Sequence, residues 1–106
     1  QDLRDAESEL RRLADDLDLR LRAGSRPLTV LTRCAAAVAT VPVVMRHHPE
    51  ACVVWFDAHA DLNTPETSPS GYLGGMVIAA AAGLWDSGFG GGLPLPQLVL
   101  VGVRDV

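Results

Sequence analysis

Asp57, His59 and Asp61 occupy alternate positions in the stretch Asp57-Ala58-His59-Ala60-Asp61, directly after the apolar run 51–56. Two carboxylates and an imidazole are metal-ligand types. Side chains at i, i+2 and i+4 of an extended segment share a face, so the three are expected to project one way from the exit of a buried strand. Carboxylate oxygens suit hard ions such as Mn²⁺ and Mg²⁺, and imidazole extends the choice to Zn²⁺. A carboxylate can also bridge two ions in a paired site that activates water. Hydrolysis is the chemistry this set suggests. A strand emerging into solvent also turns from apolar to polar, but a solvated turn needs no such spacing, and open α/β sheets build their sites at the carboxyl ends of strands.

The elements that must position these residues are readable from periodicity. Residues 2–22 carry Leu3, Ala6, Leu10, Leu13, Leu17 and Leu21 at spacings of three and four, which predicts a helix of about five turns with one apolar stripe. Glu7 with Arg11, Asp16 with Arg20 and Asp18 with Arg22 are i,i+4 pairs that support it. A coiled-coil seam is an alternative, although a helix covering a sheet is the commoner use of so short a stripe. Gly24 and Pro27 lead into an expected strand at 28–31. Residues 34–48 are alanine-rich and apolar, and Pro42 predicts a break near Ala39 with Thr40 capping a fresh helix. His47 and His48 fall at its end, where adjacent residues point about 100° apart and chelate one ion poorly; proximity to the negative end of the helix dipole is the simpler account.

A second strand is expected at 52–56, its continuous apolarity matching a parallel strand covered on both faces. Residues 62–72 form the loop beyond the motif, residues 73–83 a small-residue helix, and residues 97–103 a third strand. Gly88 to Gly92 read as a loop, since Leu93 stands where a phosphate-binding fingerprint wants its third glycine. The order α, β, α, β, α, β implies a parallel sheet with helices on its faces.

At 106 residues the chain is one domain at most, burying about 60–70% of its unfolded surface. A hydrophobic content of 48% with 21% charged residues is globular, and a net charge of −4 disfavours nucleic acid. All nine basic residues are arginines, a composition bias. No apolar stretch approaches the roughly 20 residues needed to span a bilayer. Cys34 and Cys52 fall on segments expected to be buried; two thiols without a signal peptide read as reduced, cytoplasmic residues, and no disulfide is expected.

Residues 47–76, HHPEACVVWFDAHADLNTPETSPSGYLGGM, resemble the central block of the arginase, agmatinase and formiminoglutamase family of ureohydrolases: a strand, the DAHxD metal motif, then Asn63-Thr64-Pro65 and a Ser70-Gly71 loop opening a small-residue helix. A weaker likeness extends from Leu3 to the closing Val99-Leu100-Val101-Gly102-Val103-Arg104-Asp105. The resemblance implies a three-layer α/β/α fold with a parallel sheet, and a manganese pair activating hydroxide against the C–N carbon of a guanidino or related small molecule. By the same resemblance Asp57, His59 and Asp61 match metal ligands, with Asp57 bridging both ions, and Asn63, Ser68 and Ser70 match positions that hold the substrate's amino-acid head group. Homo-oligomer assembly is compatible with it.

Three departures qualify what the resemblance implies. The family's GGDHS block falls on Leu31, Thr32, Arg33, Cys34 and Ala35, so Cys34 occupies the position of a ligating histidine. A thiolate is a softer donor and must be deprotonated to bind, shifting preference from Mn²⁺ toward Zn²⁺ or Fe²⁺. Arg33, in place of an aspartate, could stabilise that thiolate and also repel a cation. Gly74 stands where arginases carry a proton-shuttling histidine, which argues against arginine as substrate more than against hydrolysis. Finally, the family completes its metal pair with aspartates of a later SxDxDxxDP-like segment, whereas the only aspartates after residue 61 here are Asp86 and Asp105, in no such pattern. Residues 1–106 are therefore expected to be the N-terminal to central part of an arginase-like domain. The leading expectation is a metal-dependent C–N hydrolase, with no catalytic side chain assigned beyond ligands and substrate contacts. The alternative is a non-catalytic or truncated relative with residual metal binding. A nucleotide-binding module would rest on fold class alone.

Overall fold

The computed structural model describes residues 2–31, 33–68 and 73–104. Helix α1 (Asp2–Arg22) forms over the length its periodicity predicts. Leu10, Ala14 and Leu17 are buried, with Ala6 and Leu21 packed against the same cluster. Ala14, outside the expected stripe, replaces Leu13 in the core. The helix stops in a Schellman motif: Gly24 has φ +80°, the Gly24 N–H donates to the Leu21 carbonyl, and the Ser25 N–H donates to the Arg20 carbonyl. Two of the three expected ion pairs form, Asp16 with Arg20 at 3.0 Å and Asp18 with Arg22 at 2.8 Å. Arg11 instead donates to the Gly88 carbonyl and lies 4.1 Å from the centroid of the Phe89 ring, tying α1 to the glycine-rich loop.

Residues 28–31 do not form the expected strand. Leu28, Val30 and Leu31 are exposed, and no neighbouring strand lies beside them among the described residues. A strand exists only through ladder hydrogen bonds to a neighbour, so an apolar alternating segment without one stays irregular. The expected break near Ala39 is also absent. A 3₁₀ turn at Cys34–Ala36 runs directly into α2 (Ala37–His47), and Pro42 sits inside that helix. Thr40 therefore caps nothing. Pro42 is fully buried, so packing offsets the roughly 3 kcal/mol that an interior proline costs. At the end of α2, His47 Nε2 lies 2.7 Å from Asp18 Oδ1, a tertiary bond to α1.

Strands β1 (Val53–Phe56) and β2 (Leu98–Val101) pair in parallel, Val53 opposite Leu98 and Phe56 opposite Val101. Between them lie a 3₁₀ turn at Leu73–Gly75 and the short helix α3 (Val77–Ala81), whose residues are all buried. The result is an α/β unit with a parallel sheet of two strands among the described residues, where three were expected. Val53, Trp55 and Leu98 pack against a cluster of Val41 and Met45 from α2, Val77 from α3 and Leu93 from the loop before β2, while α1 packs against α2 through a separate cluster. On the opposite sheet face Val54, Phe56, Val99 and Val101 are exposed, Phe56 at 77%. The expectation of a sheet covered on both faces thus holds for one face only: α1, α2 and α3 all stand on the same side. Cys34 and Cys52 are both free and, contrary to expectation, exposed. Among the described residues no helix is long and apolar enough to cross a membrane.

Candidate metal centre

The β1–β2 pairing continues one step beyond the strands and fixes the motif. The Asp57 N–H donates to the Val101 carbonyl at 3.1 Å, and the Arg104 N–H donates to the Ala58 carbonyl at 2.9 Å. The chain then turns. Asp57 Oδ1 accepts the His59 N–H at 3.1 Å, an Asx-type turn that ends the extended conformation. Asp61 has φ +56°, a left-handed conformation in which aspartate is among the less penalised residues. Its carbonyl accepts the N–H groups of Ile78 and Ala79 at 2.9 and 3.1 Å, so the backbone of Asp61 is pinned to the first turn of α3. The expected alternation over 57, 59 and 61 is therefore not what brings side chains together; a turn and a helix terminus do so.

One ligand atom each from Cys34, Asp57 and Asp61 lies within 4.8 Å of the others. Asp61 is buried, Asp57 is partly buried, and Cys34 is at the exposed edge. His59 lies outside this group. Its imidazole is 61% exposed with Nδ1 3.5 Å from Asp57 Oδ1, at the rim of the cluster. Cys34 arrives from a distant part of the sequence, on the first residue of the 3₁₀ turn that precedes α2. The loop beyond Asp61 carries Asn63 and Ser68. The Asn63 N–H donates to the Gly75 carbonyl, the Thr67 hydroxyl donates to Asn63 Oδ1 at 3.2 Å, and the Ser68 N–H donates to the Thr64 carbonyl. Ser70 lies outside the described residues.

The electrostatics follow from crowding. Burial, reinforced by the negative charge of Asp57, pushes the Asp61 carboxyl up to about 6. Asp57 is held below the ordinary carboxylate value, chiefly by the His59 N–H. The Cys34 thiol is raised by burial and then by the charges of Asp61 and Asp57. Burial and the two carboxylates thus work against the thiolate that Arg33 was expected to favour. The residue that sequence reading passed over is Trp55, taken only as part of an apolar strand. Its indole N–H donates to Asp61 Oδ2 at 3.2 Å. A tryptophan two residues before Asp57, on the inward side of its strand, carries an N–H that needs a partner, and that was the available signal.

A groove of about 490 Å³ runs between α1 and residues 25–30, lined by Leu13, Leu17, Arg20 and Leu28 among others, and none of the candidate ligands faces it.

A sequence model described as the arginase family matches residues 2–106. Among individual relatives, an N(omega)-hydroxy-L-arginine amidinohydrolase of Streptomyces lavendulae is 58% identical over 81 residues, covering 74% of this chain and 30% of that protein. An arginase of Bacillus caldovelox is 35% identical over 101 residues, 90% of this chain and 34% of the relative. A mitochondrial arginase-2 of Oryctolagus cuniculus is 37% identical over 103 residues, 89% and 29% respectively. The chain thus spans about a third of the length of these relatives. A match over nearly every residue, on a parallel α/β unit whose strand exit gathers two aspartates of a DAHxD motif, places this chain in the arginase family.

Proposed function

We propose that residues 1–106 are the N-terminal to central part of a metal-dependent hydrolase of non-peptide C–N bonds that acts on a guanidino or amidino small molecule. The observation that carries this reading is the convergence of Cys34, Asp57 and Asp61 at the end of the sheet. Their chemistry fits a divalent cation. Two carboxylates held together repel until a proton or a cation neutralises them, and the Asp61 carboxyl is raised first by burial and then by the charge of Asp57. His59, beside Asp57, completes the proposed ligand set, and Asp57 is the proposed bridge between two ions in the complete site. Mn²⁺ is the ion suggested by the family resemblance; the Cys34 sulfur shifts the preference toward Zn²⁺ or Fe²⁺. A bound divalent ion would supply positive charge that acidifies water and offsets the negative charge on the attacking oxygen.

The chain's own residues set the remaining chemistry. Cys34 must release its proton to ligate, so metal uptake strengthens as pH rises. Asn63, Ser68 and Ser70 are the proposed contacts to the substrate's head group, and Thr67 orients the Asn63 amide. Gly74 offers no group to relay a proton. The names of the relatives, an arginase and a hydroxyarginine amidinohydrolase, support a guanidino substrate. Free thiols support a cytoplasmic setting, and the exposed sheet face is compatible with homo-oligomer assembly. The second reading, a non-catalytic relative with residual metal binding, is favoured by Gly74 and by Arg33 and Cys34 in place of the family's aspartate and histidine.

Urea release from arginine, agmatine and a hydroxyguanidine tests the proposal. If the gene continues into a segment with paired aspartates, the longer protein is expected to bind two ions and to hydrolyse one of these substrates, whereas residues 1–106 alone are not. Comparable metal-dependent release by the short chain contradicts this account of the site.

A further inference from the structure

We infer that Trp55 is a positioning residue for the metal site, acting through Asp61. The inference rests on the proposed ligand role of Asp61 and deepens it. Trp55 lies on the inward face of β1, packed with Val53 against the α2–α3 cluster, and its indole N–H donates to Asp61 Oδ2 at 3.2 Å. The Asp61 main chain is fixed independently by the Ile78 and Ala79 N–H groups in a left-handed conformation. The ligand is therefore held at both ends, its backbone by the start of α3 and its carboxylate by the sheet. That division is informative, because with the main chain already pinned the indole bond has one remaining effect, to select the rotamer of the carboxylate. A single N–H engages one direction on one oxygen and leaves the other lone pairs to a cation. A rigid two-ring donor packed against the core restrains a ligand better than water at the same place, since it cannot reorient freely when the ion arrives.

The contrast with the second tryptophan sharpens the point. Trp85 donates its indole N–H to the Met76 carbonyl at 2.9 Å, a main-chain bond beside α3. The chain holds two tryptophans, so one reports on the candidate ligand and the other serves as an internal control.

The test uses the purified chain and metal alone. Trp55→Phe keeps an aromatic ring against the core and removes the N–H. Calorimetric titration with Mn²⁺ and with Zn²⁺ is expected to show about 10- to 100-fold weaker binding than in the unsubstituted chain, with the metal-free melting temperature little changed. In ¹H–¹⁵N spectra of the unsubstituted chain, Zn²⁺ is expected to move the Trp55 indole signal and leave the Trp85 signal in place. Equal affinity of Trp55→Phe, or an unmoved Trp55 signal on saturation with Zn²⁺, overturns the positioning role while leaving the metal site standing. Absence of any binding by the unsubstituted chain overturns the metal-centre reading and this inference with it. If Trp55→Phe does not fold, the indole spectra of the unsubstituted chain decide alone.

Discussion

Replacing Asp61 by Asn should stabilise the metal-free chain and remove its response to metal. The substitution is close to isosteric, retains an oxygen acceptor for the Trp55 N–H, and suits the φ of +56°, since Asn tolerates the left-handed region as well as Asp does. What it removes is the buried charge beside Asp57. The Asp61 carboxyl rises from an ordinary 3.8 to about 6. The unfolded chain thus ionises at lower pH than the folded one, and stability declines as pH rises from about 4 to about 6 and stays reduced above that. At about 1.4 kcal/mol per pKa unit the full shift corresponds to ~3 kcal/mol. Water reaching the carboxylates from the open side of the cluster brings this down to on the order of 1–2 kcal/mol. At about 4–8 °C per kcal/mol for a domain of this size, Asp61→Asn should melt roughly 5–15 °C higher at pH 7 in chelator, with the gain vanishing below about pH 4. Saturating Mn²⁺ or Zn²⁺ should reverse the order, because only the aspartate form gains binding energy on folding. Thermal melts at pH 3.5 and 7, with chelator and with metal, measure all four quantities. A lower melting temperature for Asp61→Asn in chelator at pH 7, or an equal rise of both proteins with metal, refutes the reasoning.

Asp57→Ala should weaken Mn²⁺ and Zn²⁺ binding more than Asn63→Ala does, since the proposed bridge touches both ions and Asn63 touches substrate; equal affinities by calorimetry contradict the assignment. Cys34→Ser, which exchanges a soft donor for a hard one, should lower Zn²⁺ affinity more than Mn²⁺ affinity, as measured by competition with a chromophoric chelator. Asp18 is held below the ordinary carboxylate value by its bond to His47, so the α1–α2 contact it supports is fully present above about pH 4 and is lost as pH falls further. Asp18→Asn should flatten that part of an acid-unfolding curve, and an unchanged curve argues that the pair is idle.

Much of the fold was legible because its signals are local. The stripe of α1, the apolar runs of β1 and β2 and the helix-stopping Gly24 depend on residues a few positions apart. What was not legible depends on distant partners. Residues 28–31 carry a strand pattern but have no neighbouring strand among the described residues, and Val54, Phe56, Val99 and Val101 carry the pattern of a doubly covered sheet while their side of it is exposed. Pro42 reads as a breaker until the core around α2 is known. In the candidate site, residue types and spacing pointed to Asp57, Asp61 and, through the family resemblance, Cys34. The turn at His59 and the positive φ of Asp61 could not be read there, because they arise from the hydrogen bonds of Ile78 and Ala79 to the Asp61 carbonyl and from the Asx turn at Asp57. Trp55 was hidden by its own hydrophobicity.

Anomalous diffraction from crystals grown with Mn²⁺ or Zn²⁺ tests the central claim most directly. The account predicts a peak at the exit of β1, with Cys34 Sγ and carboxylate oxygens of Asp57 and Asp61 at ligand distance, about 2.0–2.3 Å for Zn²⁺. A peak held by other residues, or no peak at saturating metal with these three side chains ordered, contradicts it.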